Sequence, residues 1–164
     1  IFNNTKFAFD VLQECGIEYD SSMFPMRTKR YGNPGCPISP FRVKGSNLIE
    51  FPMSVYSRYG VKIPVAGGGY LRLLPISFVK HSIRSINADG MPFVLYCHPY
   101  EFDPEEWQHM NGRISMFRRT HQGLGRNKIP YKINSLLKEF RFTSFEEKIS
   151  VIQDVDLLTE RSLP

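Results

Sequence analysis

His98 is the residue in this sequence best placed to do chemistry. It follows Phe93-Val94-Leu95-Tyr96-Cys97, an unbroken apolar run that is short enough for a strand and rich in β-formers. A run without alternation predicts a strand covered on both faces, as in a parallel α/β sheet. His98-Pro99 ends the run. The imidazole then lies at the C-terminal edge of a strand, where α/β proteins place ligands and reacting groups. Imidazole exchanges a proton near neutral pH, so the chemistry on offer is general acid–base catalysis. Asp20, at the tip of a short Ile17-Glu18-Tyr19 strand, is an acid available to orient His98 or to raise its pKa.

Other chemistries fail on spacing. His81, His98, His109 and His121 form no HxH, HxxxH or HExxH pair, and Cys15, Cys36 and Cys97 form no CxxC. A zinc or iron site supplied wholly by this chain is not expected. No GxSxG elbow is present for a serine nucleophile. The stretch Ala66-Gly67-Gly68-Gly69-Tyr70-Leu71-Arg72 has neither the Gly-Lys-Ser/Thr of a phosphate loop nor a full GxGxxG. Three successive glycines lose much backbone entropy on ordering, so they predict a tight turn or a close backbone approach. Asp103-Pro104-Glu105-Glu106 reads as a helix start, with Asp as N-cap and Pro in the first helical position.

The elements that must carry these residues follow from pattern. Phe7, Ala8, Val11, Leu12 and Cys15 have helical spacing, and Gly16 suits the residue just past the end. From Met23 to Ser46, four prolines and three glycines exclude regular structure over most of the stretch. Phe24, Tyr31, Cys36, Ile38 and Phe41 argue that this long loop is ordered, with Arg27, Lys29 and Arg30 outside. Leu48 to Val55 is a strand weakened by Pro52, and Lys62 to Val65 another short one. Ile76, Val79, Ile83 and Ile86 define the buried face of a helix closed by Asp89-Gly90. Trp107 to Tyr131 is polar and basic, read as loop and short helix. Ile133, Leu136, Leu137 and Phe140 make a last amphipathic helix, and Phe145 to Leu158 one more short one.

At 164 residues the chain suits one domain, and 41% hydrophobic content supports a real core. The excess of 21 basic over 16 acidic residues is modest and dispersed, so it does not demand nucleic acid. Three cysteines without a pattern predict buried free thiols. No apolar run approaches the ~20 residues of a membrane span. The chain starts with Ile1 and enters a helix almost at once, which predicts a sequence truncated at its front.

Three stretches, YDSSMFPMRTKRYGNPGCP, PVAGGGYLRLLP and YCHPYEFDP, resemble in order the polysaccharide deacetylases of the NodB-homology class. The resemblance runs from Ile1 to about Phe142, and GGGYLRLLP points to the branch found with bacterial exopolysaccharide and exosortase loci. It implies an α/β fold, the C-terminal part of a distorted (β/α) barrel whose N-terminal strands are missing. It divides the chain into 1–142, the catalytic-domain portion with a branch-specific extension, and 143–164, a C-terminal tail. The implied activity is removal of acetyl groups from polysaccharide sugars. A divalent metal, typically zinc, held by an Asp and two His would activate a water. His98 matches the late-strand histidine that protonates the leaving amine, and Asp20 the acid at the tip of an earlier strand. Tyr31, Tyr70, Arg72 and Tyr100 would contact the sugar, because aromatics stack on sugar faces and Arg pairs with acidic groups. The family's paired Asp residues, its HxxxH and its Arg-x-Pro motif do not occur, and Cys97 stands where a larger apolar residue is usual. The chain alone is therefore expected to be inactive. The competing expectation is a non-catalytic carbohydrate-binding or regulatory module.

Overall fold

The computed structural model describes residues 5, 7–28, 32–106, 115, 120, 123–152 and 160–161. Among them the fold is mixed α/β, with five α-helices and two small sheets, and no closed barrel is formed.

The first helix, α1 (Phe7–Glu14), ends as its sequence predicts. Gly16 takes φ +72°, its N–H bonds to the Gln13 carbonyl and the Ile17 N–H to the Leu12 carbonyl, a Schellman cap. Only Phe9 is buried on this helix, with Leu12 packed beside it, while Phe7 and Val11 stay exposed. Cys15 is exposed as well, contrary to the expectation for a thiol in an apolar run. Cys36 is buried and Cys97 half-buried. Burial pushes these two thiols up to about 12 and about 11 respectively.

A four-stranded sheet follows, in the order β1 (Tyr19–Asp20), β3 (Ile49–Glu50), β2 (Phe41–Val43) and β6 (Glu160–Arg161). β1 and β3 are parallel, β2 and β3 antiparallel, β2 and β6 parallel. The sheet is therefore mixed, not the parallel one expected. Asp20 is the last residue of β1, where the sequence pattern placed it just outside. The long loop is ordered where described: Met23, Phe24, Cys36 and Phe41 are buried, and the Asn33 N–H bonds to the Phe24 carbonyl at 2.7 Å. Lys29, Arg30 and Tyr31 lie outside the described residues.

Pro52 interrupts the strand expected over Leu48 to Val55. A second sheet is the hairpin of β4 (Val55–Arg58) and β5 (Val61–Pro64). Tyr59 and Gly60 at its tip have φ +51° and +77°, as a two-residue type I′ turn requires. Nothing in the Tyr-Gly pair advertised it. The hairpin rests on α3 (Ile76–Ala88), where Tyr56 meets Phe78 edge-on and Arg58 bonds Ser85 and Asp89. Val79, Ser82, Ile83 and Ile86 form the buried face of α3, close to the expected stripe.

The glycine stretch opens a short helix, α2 (Gly68–Leu73). Its end is closed from a distance. Lys132, on α4 (Ile129–Leu137), donates to the carbonyls of Leu71, Arg72 and Leu74 at 2.6, 3.2 and 2.7 Å. One ammonium thus matches its three donors to three carbonyls at a helix C-terminus, where positive charge is favoured. Finally α5 (Phe145–Ile152) is capped by the Ser144 hydroxyl, which accepts the Glu147 N–H. Its Phe145 ring stacks on Phe51 at 4.3 Å, and Ile149 joins the same apolar cluster.

Lys132→Met should destabilise the fold by about 2 kcal/mol, because buried carbonyls lose their donor while the apolar stem is retained. Urea denaturation measures this; an unchanged midpoint would mean that water replaces the ammonium.

Candidate active site

The Phe93 to Cys97 run packs on both sides, with Val94 buried and its neighbours half-buried. Phe93, Leu95 and Cys97 pack against the cluster of Leu71, Val79, Ile83, Ile129 and Leu136. Val94 packs the other way, against Ile49, Phe51 and Ile149. Its neighbours therefore alternate as in a strand. The run is nonetheless not a strand: among the described residues it joins no ladder, and the Val94 N–H bonds to the Ser54 hydroxyl at 2.8 Å instead.

His98 emerges at the end of this run, exposed, and a 3-10 turn over Pro99–Phe102 follows at once. The His98 backbone N–H donates to Glu101 Oε2 at 2.9 Å, and the Glu101 N–H returns to the His98 carbonyl at 3.0 Å. The imidazole stacks on Tyr100, 5.2 Å between centroids at 13°, and Tyr96 meets it edge-on at 5.7 Å. Beyond Tyr100 the Arg126 guanidinium lies 5.0 Å from the ring centroid. Tyr96, His98, Tyr100 and Arg126 thus form one column. A cation against a phenol face contributes on the order of 1–2 kcal/mol where it is desolvated.

Arg126 is only 1% exposed, so its charge needs a partner. Glu106 supplies it, accepting from Nη1 at 2.6 Å, and the Asp103 carbonyl accepts from the same nitrogen at 3.1 Å. Asp103 also takes the N-capping bond its sequence predicts, accepting the Glu105 N–H at 2.9 Å. Burial and the Glu101 carboxylate raise the Tyr100 hydroxyl above the ordinary phenol value, while Arg72 and Arg126 work against them.

The glycines have a clear use here, and it is space. A Cβ on Gly68 would fall 1.7 Å from Glu101 Oε2, and one on Gly67 would fall 2.5 Å from the Tyr96 hydroxyl. None of the three takes a positive φ. Glu101 therefore sits against the first turn of α2, where free backbone N–H groups favour a negative charge.

Asp20 ends β1. Its Oδ2 accepts the Ser22 hydroxyl at 2.5 Å, and across the β1–β3 pair it faces Glu50. No hydrogen bond or ion pair joins Asp20 to His98. Of the sugar contacts expected from resemblance, Tyr100 and Arg72 belong to the His98 neighbourhood, with Arg72 Nη1 donating to the Leu124 carbonyl at 3.5 Å. Tyr70 is half-buried in α2. Tyr31 falls outside the described residues. Arg126, Glu101 and Glu50 were not singled out from sequence. A lone acid inside the apolar Leu48-Ile49-Glu50-Phe51 run is the signal that could have marked Glu50. Among the described residues no group of three His, Cys, Asp or Glu could hold a metal, and no helix is long and apolar enough to cross a membrane.

Residues 21–150 match the family model described as a domain of unknown function, DUF3473, and the chain belongs to that family. The matched span begins just after Asp20 and takes in the glycine stretch, His98 and most of α5. Neither a curated protein nor a solved structure matches the chain significantly.

Gly68→Ala should lower stability by about 1–3 kcal/mol, since its methyl displaces the Glu101 carboxylate. In a Glu101→Ala background the same substitution should cost much less. Equal costs in both backgrounds, measured by thermal denaturation, would show that the two residues are not coupled.

Proposed function

We propose that this chain is the C-terminal portion of the catalytic domain of a metal-dependent polysaccharide deacetylase, with His98 as its general acid. The observation that carries the reading is the setting of His98. Its imidazole is exposed at the end of a segment packed on both sides, and it lies against the Tyr96 and Tyr100 rings, with Arg126 over Tyr100. The side chain that must give up a proton is thus held on a rigid platform and open to a ligand. The YCHPYEFDP resemblance assigns that position to the acid which protonates a leaving amine. In this reading the described elements are part of a distorted (β/α) barrel.

The described residues do not fit a metal site, so the metal and the base would be held by motifs that the resemblance places ahead of Ile1. The divalent ion, when bound, would activate a water and polarise the acetyl carbonyl. This chain's own contribution is the remainder. His98 delivers the proton to the departing nitrogen, and the exposed part of the aromatic column offers apolar surface against which a sugar ring can rest. Arg72 adds positive charge near Tyr100, suited to an acidic sugar. The exposed edge of the Tyr100 ring would equally serve a binding module without catalysis, which retains affinity for polysaccharide but releases no acetate.

The test is acetate release from an acetylated exopolysaccharide by the full-length protein loaded with zinc. His98→Ala should lower kcat by about 10²–10⁴ with little change in KM. Tyr100→Ala should mainly raise KM. Retention of kcat after loss of His98 would end the general-acid assignment, and polysaccharide binding without any acetate release would favour the binding module.

A further inference from the structure

The group around Asp20 holds a second acid that the reading above does not use. Glu50 lies directly opposite Asp20 in the register of the parallel β1–β3 pair, so both side chains project from the same face of the sheet. The alternate residues Tyr19 and Ile49 point the other way, into the cluster around Phe51. Glu50 is 0% exposed. On its other flank β2 places Phe41, its register partner, and Met23, Cys36 and Leu48 complete an apolar surround on that face.

Its two oxygens are treated differently. Oε1 accepts the Met23 N–H at 2.9 Å. Oε2 is buried and finds no donor among the described residues. A bare carboxylate in this place would leave a charged oxygen desolvated and unpaired, which is costly. A carboxylic acid removes the problem, because the oxygen becomes a donor and needs an acceptor. Asp20 is the acceptor beside it.

We propose that Glu50 is protonated at neutral pH and donates its proton in a hydrogen bond to Asp20, so that the two acids form one singly charged pair in which Glu50 positions Asp20. The proton stays on Glu50 because Glu50 is fully enclosed, whereas Asp20 is half-buried and also receives the Ser22 hydroxyl. Burial first, then the bond to and charge of Asp20, push the Glu50 carboxyl up to about 9, and the Met23 N–H opposes them. The other groups facing the pair do not neutralise it. The Cys36 thiol is held protonated by its own burial, and the exposed Lys62 donates its ammonium to the Pro25 carbonyl at 3.1 Å. Two acids in contact cannot both ionise cheaply, and the pair titrates as a unit. That Asp20 belongs to an active site rests on the deacetylase reading; the protonation of Glu50 does not.

The sign of the pH effect follows. Between the ordinary value of 4.5 and about 9 the folded chain holds a proton that the unfolded chain has released. The stabilisation is complete below that window and falls as pH rises through it, by about tenfold in the folding equilibrium per pH unit. Glu50→Gln keeps an acceptor for Met23 and a donor for Asp20 without the titration. The stability of the wild type relative to this variant should therefore fall about tenfold per unit between about pH 5 and about pH 8. A ratio that does not change with pH would overturn the proposal.

A second measurement needs no variant to fold. Carbon NMR of the intact protein labelled at its glutamate carboxyls should show the Glu50 signal, assigned through its contact with the Met23 N–H, keeping the shift of a protonated acid across that range. A Glu50 signal that titrates with the other glutamates would overturn the assignment. Neither readout involves turnover, so failure of the Glu50 assignment and failure of the deacetylase reading are separate results.

Discussion

The described fold depends on the double coverage of Phe93 to Cys97. One flank of this extended run packs on α2, α3 and α4 through Phe93, Leu95 and Cys97, and the other on β3 and α5 through Val94. Each side supplies a cluster that would expose a face without the run between them. Burying Val94 and half-burying its four neighbours stabilises by several kcal/mol, at about 25 cal/mol per Å² of apolar surface. It also decides where His98 stands, because the chain can turn out to solvent only where coverage ends. The position of the imidazole is thus a by-product of packing, and its orientation is then refined by the rings on either side.

Around that point several buried polar groups have specific partners. Arg126 is held by Glu106 and the Asp103 carbonyl, Glu101 by the His98 amide, Lys132 by three carbonyls. Each such contact demands more of its geometry than an apolar one, since a shift of an ångström leaves a charge without water and without a partner. The result is a stiff frame. Gly67 and Gly68 belong to it as much as the charges do, for they leave the room that Tyr96 and Glu101 occupy.

Much of this was legible in the sequence, for identifiable reasons. Helix α3 follows from its 3.6-residue stripe, the cap of α1 from Gly16, and the covered run from five apolar residues without a polar interruption. The mixed character of the small sheet was not legible, because strands of two or three residues carry too little periodicity to fix direction or partner. The Tyr59-Gly60 turn was hidden because a tyrosine rarely takes a left-handed conformation. In the site, His98 announced itself by its place after a strand-like run. Arg126 did not, since a buried arginine and a solvated one look alike until tertiary contacts bring in Glu106 and Tyr100. That no hydrogen bond joins Asp20 to His98 is likewise a tertiary fact. Each residue reads as an acid or base at the end of an extended segment, and nothing local tells whether two such ends meet.

Lys132 has a consequence for how the molecule opens. Helix α2 has six residues, too few to persist alone in water, and its last carbonyls are held by a side chain from α4. Release of that ammonium therefore frays α2 from its C-terminal end, and fraying of α2 strips α4 of its anchor. The two helices, sixty residues apart in sequence, should behave as one unit in amide hydrogen exchange. The backbone beneath Glu101 would then exchange no more slowly than an amide on the far side of α4.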